Sequence, residues 1–248
     1  MTSIWEALVG DAQGALLSVV ALDTVVAGFV IGGFWLTVAL LRSFGSKAGY
    51  SLAPLGFSKP RSGVLGGIVL GMVVGIFAVV LSFAVNPLSV LVLERLGYST
   101  ESTVQRPFME GLTGWVRESP GIAVPVIVLA VVVFGPAVEE LVFRGVVFNG
   151  LYRLGSWFST RSIGKESPAI PHGKTIFVFS ALASSILFAL LHLEPVLVPI
   201  LLILAMILCS LFRRTGSLLP CFAAHATFNS FATAIIILDG LGILDLPF

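Results

Sequence analysis

Six stretches of about 20 mainly apolar residues alternate with polar connections along the chain. They cover residues 24–41, 63–86, 121–150, 175–192, 197–212 and 218–238. A stretch of this length crosses the hydrocarbon core of a bilayer as a helix, and a helix satisfies its own backbone hydrogen bonds there. The pattern predicts an all-α protein, a polytopic transmembrane helix bundle of about six to eight spans. No internal repeat or polar linker divides it, so residues 1–248 are read as a single integral membrane domain.

Two segments outside the six stretches bear on this picture. Residues 88–118 mix apolar with charged side chains, which is typical of an amphipathic helix at the membrane surface. A gate for substrate is the alternative interpretation of that segment. An additional helix over residues 3–20 would change the location of the first residues and nothing else.

Composition independently indicates a membrane protein. The chain is 57% hydrophobic and 11% charged, with a mean hydropathy of +1.05, whereas soluble domains carry about 25% charged residues. The net charge of +1 gives no indication of a nucleic-acid partner. No Lys or Arg precedes Arg42, so the basic start of a cleaved signal peptide is missing and the first helix is expected to be retained. Cys209 and Cys221 lie in or beside apolar runs and are expected to be buried thiols.

The distribution of basic residues predicts the orientation. The first, third and fifth connections hold most of them: Arg42, Lys47, Lys59, Arg61, Arg153, Arg161, Lys165, Lys174, Arg213 and Arg214. The other side holds Arg95, Arg106 and Arg117. Because cytoplasmic connections carry the excess of Lys and Arg, both termini are predicted outside and the odd-numbered connections in the cytoplasm.

Adjacent glutamates interrupt the third apolar stretch. Glu139 and Glu140 follow 18 uncharged residues, and Arg144 comes one helical turn later. Ionisable side chains at bilayer depth are costly and usually mark a functional site. Glu140 and Arg144 are spaced i,i+4 and are expected to pair, while Glu139 points about 100° away. Glu139 is therefore the candidate general base, with structural hydrogen bonding as the alternative.

A proline stands just before these glutamates. Pro136, after Gly135, removes a backbone donor, so we expect a bend that frees a carbonyl and opens a polar pocket. The alternative is that Pro136 only accommodates packing, which is common in membrane helices.

Two further polar pairs lie in other apolar stretches. Phe188 and His192 are spaced i,i+4, as are His225 and Asn229, so each pair shares one helix face. His172 lies in a polar connection and is expected to be exposed.

These side chains suffice for hydrolysis by water. A glutamate assisted by histidine can take a proton from water, and histidine and asparagine donors can stabilise an oxyanion. Alternatively, Glu139, His192 and His225 could hold Zn²⁺ with an acidified water, although no HExxH motif supports a zinc site. The spacing alone does not choose between them.

Three short motifs resemble those of a known family. The segments EELVFR (Glu139 to Arg144), FALLH (Phe188 to His192) and HATFN (His225 to Asn229) match, in order, the EExxxR, FxxxH and HxxxN motifs of the CAAX protease and bacteriocin-processing (CPBP or Abi) family. The segment FRRTGSLLP also resembles the family's RTGSL segment. These motifs define a catalytic core over residues 121–238.

The resemblance implies an intramembrane endopeptidase similar to the type II CAAX prenyl endopeptidases. Glu139 and His192 would activate water, His225 and Asn229 would stabilise the oxyanion, and Glu140 with Arg144 would order the site. Phe188 would support it. Family members have been described as metal-dependent, which keeps zinc open as a cofactor. The expected substrate is a membrane-anchored protein or peptide, prenylated CAAX proteins included, in a multi-pass protein of the cell membrane whose cavity opens to the cytoplasm.

Two other functions are compatible with the pattern. A catalytically idle partner protein would keep the fold to hold another membrane protein, and a proton-coupled transporter would use Glu139, His192 and His225 as a relay. Hydrolysis requires Glu139, His192 and His225 to lie at the same depth in the bilayer. Their positions along the predicted helices give different depths, unless residues 155–180 lie partly outside the membrane. Glu139 and His192 on opposite sides of the bilayer would rule the hydrolytic reading out.

Overall fold

The computed structural model describes residues 12–102, 104–162 and 172–244, and regular structure in these ranges is helical. The helices are α1 (Ala12–Ser43), α2 (Gly63–Arg95), α3 (Gln105–Glu118), α4 (residues 120–162), α5 (His172–Leu190), α6 (Val198–Thr215) and α7 (Leu218–Gly240). Short 3-10 turns occupy Ala53–Leu55 and Pro195–Leu197. All helices except α3 are long and apolar enough to cross a membrane. The predicted all-α bundle with six spans is confirmed.

The first helix is longer than the apolar stretch that predicted it. α1 begins at Ala12 and includes Asp23, whereas the predicted span begins at residue 24. Of the alternative helix over residues 3–20, residues 12–20 belong to α1 and the rest lie outside the described residues.

The segment over residues 88–118 divides into two helices. Residues 88–95 complete α2, and α3 is amphipathic, with Leu112, Thr113 and Val116 buried. Val116 packs against Gly240 at the end of α7. The apolar face of α3 therefore covers one end of the bundle.

Helix α4 contains two π-helical segments, Val128–Phe134 and Leu141–Phe148, on either side of Gly135–Glu140. In the first, the Gly135 N–H donates to the carbonyl of Ala130, five residues earlier. Such segments are rare and often occur at functional sites. Pro136 follows directly, so the helix accommodates the proline by a change of hydrogen-bond pattern.

Helices α2 and α7 approach each other closely through small residues. A Cβ added to Gly75 would lie 2.5 Å from the Ala224 carbonyl oxygen, and one on Gly71 would meet the Pro220 carbonyl oxygen. Close backbone approach through glycine is how helices pack where lipid supplies no hydrophobic driving force. This glycine seam fixes the position of α7, the helix that carries His225 and Asn229.

Two connections are joined at one end of the bundle. The Ser58 hydroxyl donates to the Gly216 carbonyl at 2.5 Å, and the Ser217 hydroxyl donates to the Ser58 carbonyl at 2.6 Å. Ser217 also caps α7 by accepting from the Leu219 N–H. Cys209 and Cys221 are free and buried, as predicted. The α5 helix begins at His172, whose side chain lies outside the described residues.

Candidate active site

A buried ion pair links α4 to α7. Arg144 donates from Nη1 to Glu140 Oε1 at 2.9 Å, as the i,i+4 spacing predicted, and His225 Nδ1 lies 2.9 Å from the same oxygen. All three residues are at most 1% exposed. An ionised carboxylate only accepts, so the proton lies on His225 Nδ1. The Glu140–Arg144 pair thus fixes the orientation of the His225 ring.

Glu139 is held differently. Its side chain is 31% exposed, and Oε2 lies 3.7 Å from His225 Nε2. That oxygen is buried and has no hydrogen-bond donor among the described residues. The helix turns the two neighbouring carboxylates in different directions, so Glu140 is bound by Arg144 and Glu139 is left to face His225.

Phe188 occupies the centre of the site. Its ring is fully buried and lies 4.7 Å from the Arg144 guanidinium, 4.7 Å from the His192 ring and 5.6 Å from the His225 ring. Arg144 makes a cation–π contact with it. Phe188 therefore covers the buried ion pair and contacts both histidines.

His192 lies two residues after Leu190, the last residue of α5. Its Nδ1 lies 2.8 Å from the Phe188 carbonyl, and because a carbonyl only accepts, Nδ1 carries a proton and Nε2 is the acceptor nitrogen of the neutral ring. Through Phe188 and His225, His192 reaches the same region as Glu139. The helices bring the predicted residues to one place, and the arrangement with Glu139 and His192 on opposite sides of the bilayer does not occur.

Asn229 supports the α4 backbone. Its Nδ2 donates to the Val131 carbonyl at 3.0 Å. Val131 lies five residues before Pro136, so its carbonyl is the one that a π-helical N–H at position 136 would have bonded. The freed carbonyl that Pro136 predicted is thus taken up by Asn229, whose second N–H and Oδ1 remain for other contacts.

A cavity of about 360 Å³ reaches Glu140 from the joined connections. Its lining comprises Gly56, Phe57, Ser58, Ala137, Glu140, Ser217, Leu218, Leu219 and Phe222. Glu140 is the one ionisable residue in this lining. The cavity therefore extends from Glu140 to the connections that carry residues 56–58 and Ser217.

The zinc alternative concerns Glu139, His192 and His225. Among the residues that the structure describes, no three His, Cys, Asp or Glu side chains are grouped so that they could hold a metal ion. The Nδ1 atoms of His225 and His192 bond to Glu140 and to the Phe188 carbonyl, so Nε2 is the nitrogen of each ring that could bind a metal.

Sequence reasoning missed Asp23. It is half-buried in α1, its Oδ2 lies 3.9 Å from the Cβ position of Gly135, and its carboxylate interacts electrostatically with Glu139. The available signal was a single acidic residue in an otherwise uncharged stretch from Ala12 to Leu41. The first predicted span begins at residue 24, one position after Asp23, and so does not include it.

Comparison with known proteins agrees with the motifs. Residues 121–231 match the family model described as Type II CAAX prenyl endopeptidase Rce1-like. The matched range contains all the motif residues that meet at the site, from Glu139 to Asn229. Neither the curated proteins nor the solved structures include a significant match to the chain. The match over residues 121–231 supports assignment of this segment to the CAAX protease and bacteriocin-processing family.

Proposed function

We propose that this protein is an intramembrane endopeptidase that hydrolyses peptide bonds of membrane-anchored proteins or peptides. The observation that carries the proposal is the contrast between the two glutamates. Glu140 is fully buried and pairs with Arg144, whereas Glu139 has no arginine partner among the described residues, lies beside His225 and keeps 31% of its side chain exposed. A carboxylate left free in a polar site inside an apolar bundle is suited to take a proton from water.

In the proposed reaction, Glu139 accepts a proton from water while the water oxygen attacks the carbonyl carbon. His192 assists through its free Nε2. The C–N bond then breaks, and the proton held by Glu139 passes to the leaving amine, which restores the carboxylate. One water is consumed for each peptide bond, and no external reagent is needed.

The negative charge that forms on the carbonyl oxygen needs donors. His225 donates from Nε2 when its ring is an imidazolium, because Nδ1 is already committed to Glu140. Asn229 has a second N–H in addition to the one bonded to Val131. Preorganised donors of this kind contribute about 2.7–4 kcal/mol each to transition-state stabilisation in other hydrolases. Glu140 and Arg144 act by positioning His225.

The cavity favours substrates that approach from the basic end of the bundle. Its lining includes residues 56–58 and 217–219, and the neighbouring connections carry Lys47, Lys59, Arg61, Arg213 and Arg214. Basic connections face the cytoplasm. We therefore place the protein in the cell membrane with this cavity open to the cytoplasm, and expect substrates with an apolar anchor, prenylated CAAX-type proteins among them.

The test is cleavage of a panel of membrane-anchored peptides, with and without a prenyl group, by purified protein in liposomes. Glu139→Ala is expected to abolish cleavage while remaining folded. Glu118→Ala, which removes an exposed carboxylate of α3, is the matched control and should cleave normally. Cleavage that survives Glu139→Ala would refute the mechanism, and loss of cleavage on chelation would move the reaction to a metal. A folded protein that cleaves no peptide would favour the idle partner protein.

A further inference from the structure

Asp23 faces the site from a helix outside the matched segment. It is the one ionisable residue of α1 between Ala12 and Leu41. Its carboxylate points at α4, where Gly135 leaves the space beside it unfilled by a side chain. Glu139 lies one turn beyond Gly135 on the same helix, and the two carboxylates interact electrostatically. Asp23 therefore lies beside the proposed base.

This side of the site carries unbalanced negative charge. The described ion pairs of the site join Arg144 to Glu140 and His225 to both glutamates, and none involves Asp23. Arg144 is fully buried under the Phe188 ring and is not available to Asp23. In a medium of low dielectric constant, carboxylates without a counter-charge strongly favour a cationic partner.

One oxygen of Glu139 also lacks a hydrogen-bond donor. Oε2 of Glu139 is buried without a donor among the described residues. Buried acceptors of this kind are normally satisfied. A basic side chain of a bound peptide would supply N–H donors on this side of the site.

Asp23 and Glu139 are both partly exposed, so a peptide bound at Glu139 can contact Asp23. One turn of α4 separates Gly135 from Glu139, which is about 5–6 Å. An extended peptide rises about 3.3 Å per residue. A side chain that reaches Asp23 thus belongs to a residue one or two positions from the bond at Glu139.

We propose that Asp23 is a specificity-determining residue that binds a lysine or arginine side chain of the substrate, one or two residues from the scissile bond. The inference rests on the proposed peptidase function for its cleavage readout, and its recognition step is measurable without cleavage. A basic substrate side chain would be discriminated from a neutral one of similar length by the charge alone.

The binding experiment uses Glu139→Gln protein in liposomes, so that peptides bind without being cut. Membrane-anchored peptides that differ only in Lys, Gln or Glu at the two positions on either side of the target bond are compared. The Lys peptides are expected to bind about tenfold more tightly than the Gln peptides, an order of magnitude seen for close charge pairs. In Asp23→Asn/Glu139→Gln protein the ratio should fall to about one, and in Asp23→Lys/Glu139→Gln protein the Glu peptides should bind best.

The same selectivity is measured in cleavage by the wild-type protein, as the ratio of kcat/KM for Lys and Gln peptides. The ratio of kcat/KM for Lys and Gln peptides should collapse in Asp23→Asn and stay unchanged in Glu118→Gln. A ratio within one variant is insensitive to a general loss of folding or activity. Equal dissociation constants for Lys and Gln peptides would overturn the role of Asp23 whether or not any peptide is cleaved. Selective binding without cleavage would instead reject the peptidase and leave the recognition role standing.

Discussion

The two sides of α4 at the level of the site differ in packing and in charge. Toward α7, Glu140, Arg144 and His225 are buried, joined by short hydrogen bonds and backed by the glycine seam between α2 and α7. Toward α1, Glu139 and Asp23 are partly exposed, and among the described residues they form no ion pair with a basic side chain apart from that of Glu139 with His225. We call these the paired side and the open side.

The difference shows how one helix separates support from reaction. Adjacent residues on a helix diverge by about 100°, so Glu139 and Glu140 meet different neighbours although they share a backbone. Glu140 is fully buried, pairs with Arg144 and orients His225. Glu139 keeps 31% of its side chain exposed and is accessible to a substrate or to water. The paired side therefore preorganises the site that the open side uses.

The largest expected effect is on the paired side. Arg144→Ala leaves Glu140 buried without its counter-charge, and breaking a buried pair costs about 3–5 kcal/mol. Thermal unfolding in detergent should show a strongly reduced Tm together with loss of activity. Arg153→Ala removes an exposed arginine of the same helix and should change stability by less than about 1 kcal/mol. Equal stability of the two variants would mean that the paired side contributes nothing to folding.

The next effect belongs to the open side. Glu139→Gln should lower the cleavage rate by about 10²–10⁴-fold, the range for a lost general base, with little change in Tm because Oε2 has no donor to lose. Glu140→Gln should lower both rate and Tm, since buried Arg144 loses its negative counter-charge. Identical behaviour of the two glutamine variants, in cleavage and in unfolding, would erase the distinction between the sides.

The packing contrast predicts a smaller effect. Gly75→Ala places a Cβ 2.5 Å from the Ala224 carbonyl oxygen, and such overpacking costs about 1–3 kcal/mol. Gly32→Ala on α1 meets nothing within 4 Å and should be neutral or stabilising by up to about 1 kcal/mol, because alanine favours the helix. Both are measured by Tm. A destabilised Gly32→Ala protein would show that α1 packs more tightly than its exposure indicates.

The smallest effect concerns the cap of α7. Ser217→Ala removes the acceptor for the Leu219 N–H and the donor to the Ser58 carbonyl, and loss of an N-cap costs about 1 kcal/mol. Ser230→Ala, an exposed position on the same helix whose hydroxyl bonds only within it, is the control. If both variants unfold at the same temperature, the junction of the two connections does not stabilise the paired side.

Much of the fold and part of the site follow from local sequence. The six spans are predicted because each is a continuous apolar run, and the Glu140–Arg144 pair because i,i+4 spacing brings two side chains together on any helix. The contact between Phe188 and His192 follows for the same reason. The bond from Asn229 to Val131 depends on a different helix, and the spacing within HATFN gave no indication of it.

The sequence by itself determined the membrane class, the helices, the motif residues and the pairing of Glu140 with Arg144, because these depend on composition and on helical periodicity. Only the tertiary structure decided that Phe188 contacts both histidines, that His225 is oriented by Glu140, and that Asp23 lies near Glu139 from α1. Contacts between helices depend on how each helix is rotated and displaced against its neighbours, and the apolar periodicity of one helix does not specify those positions.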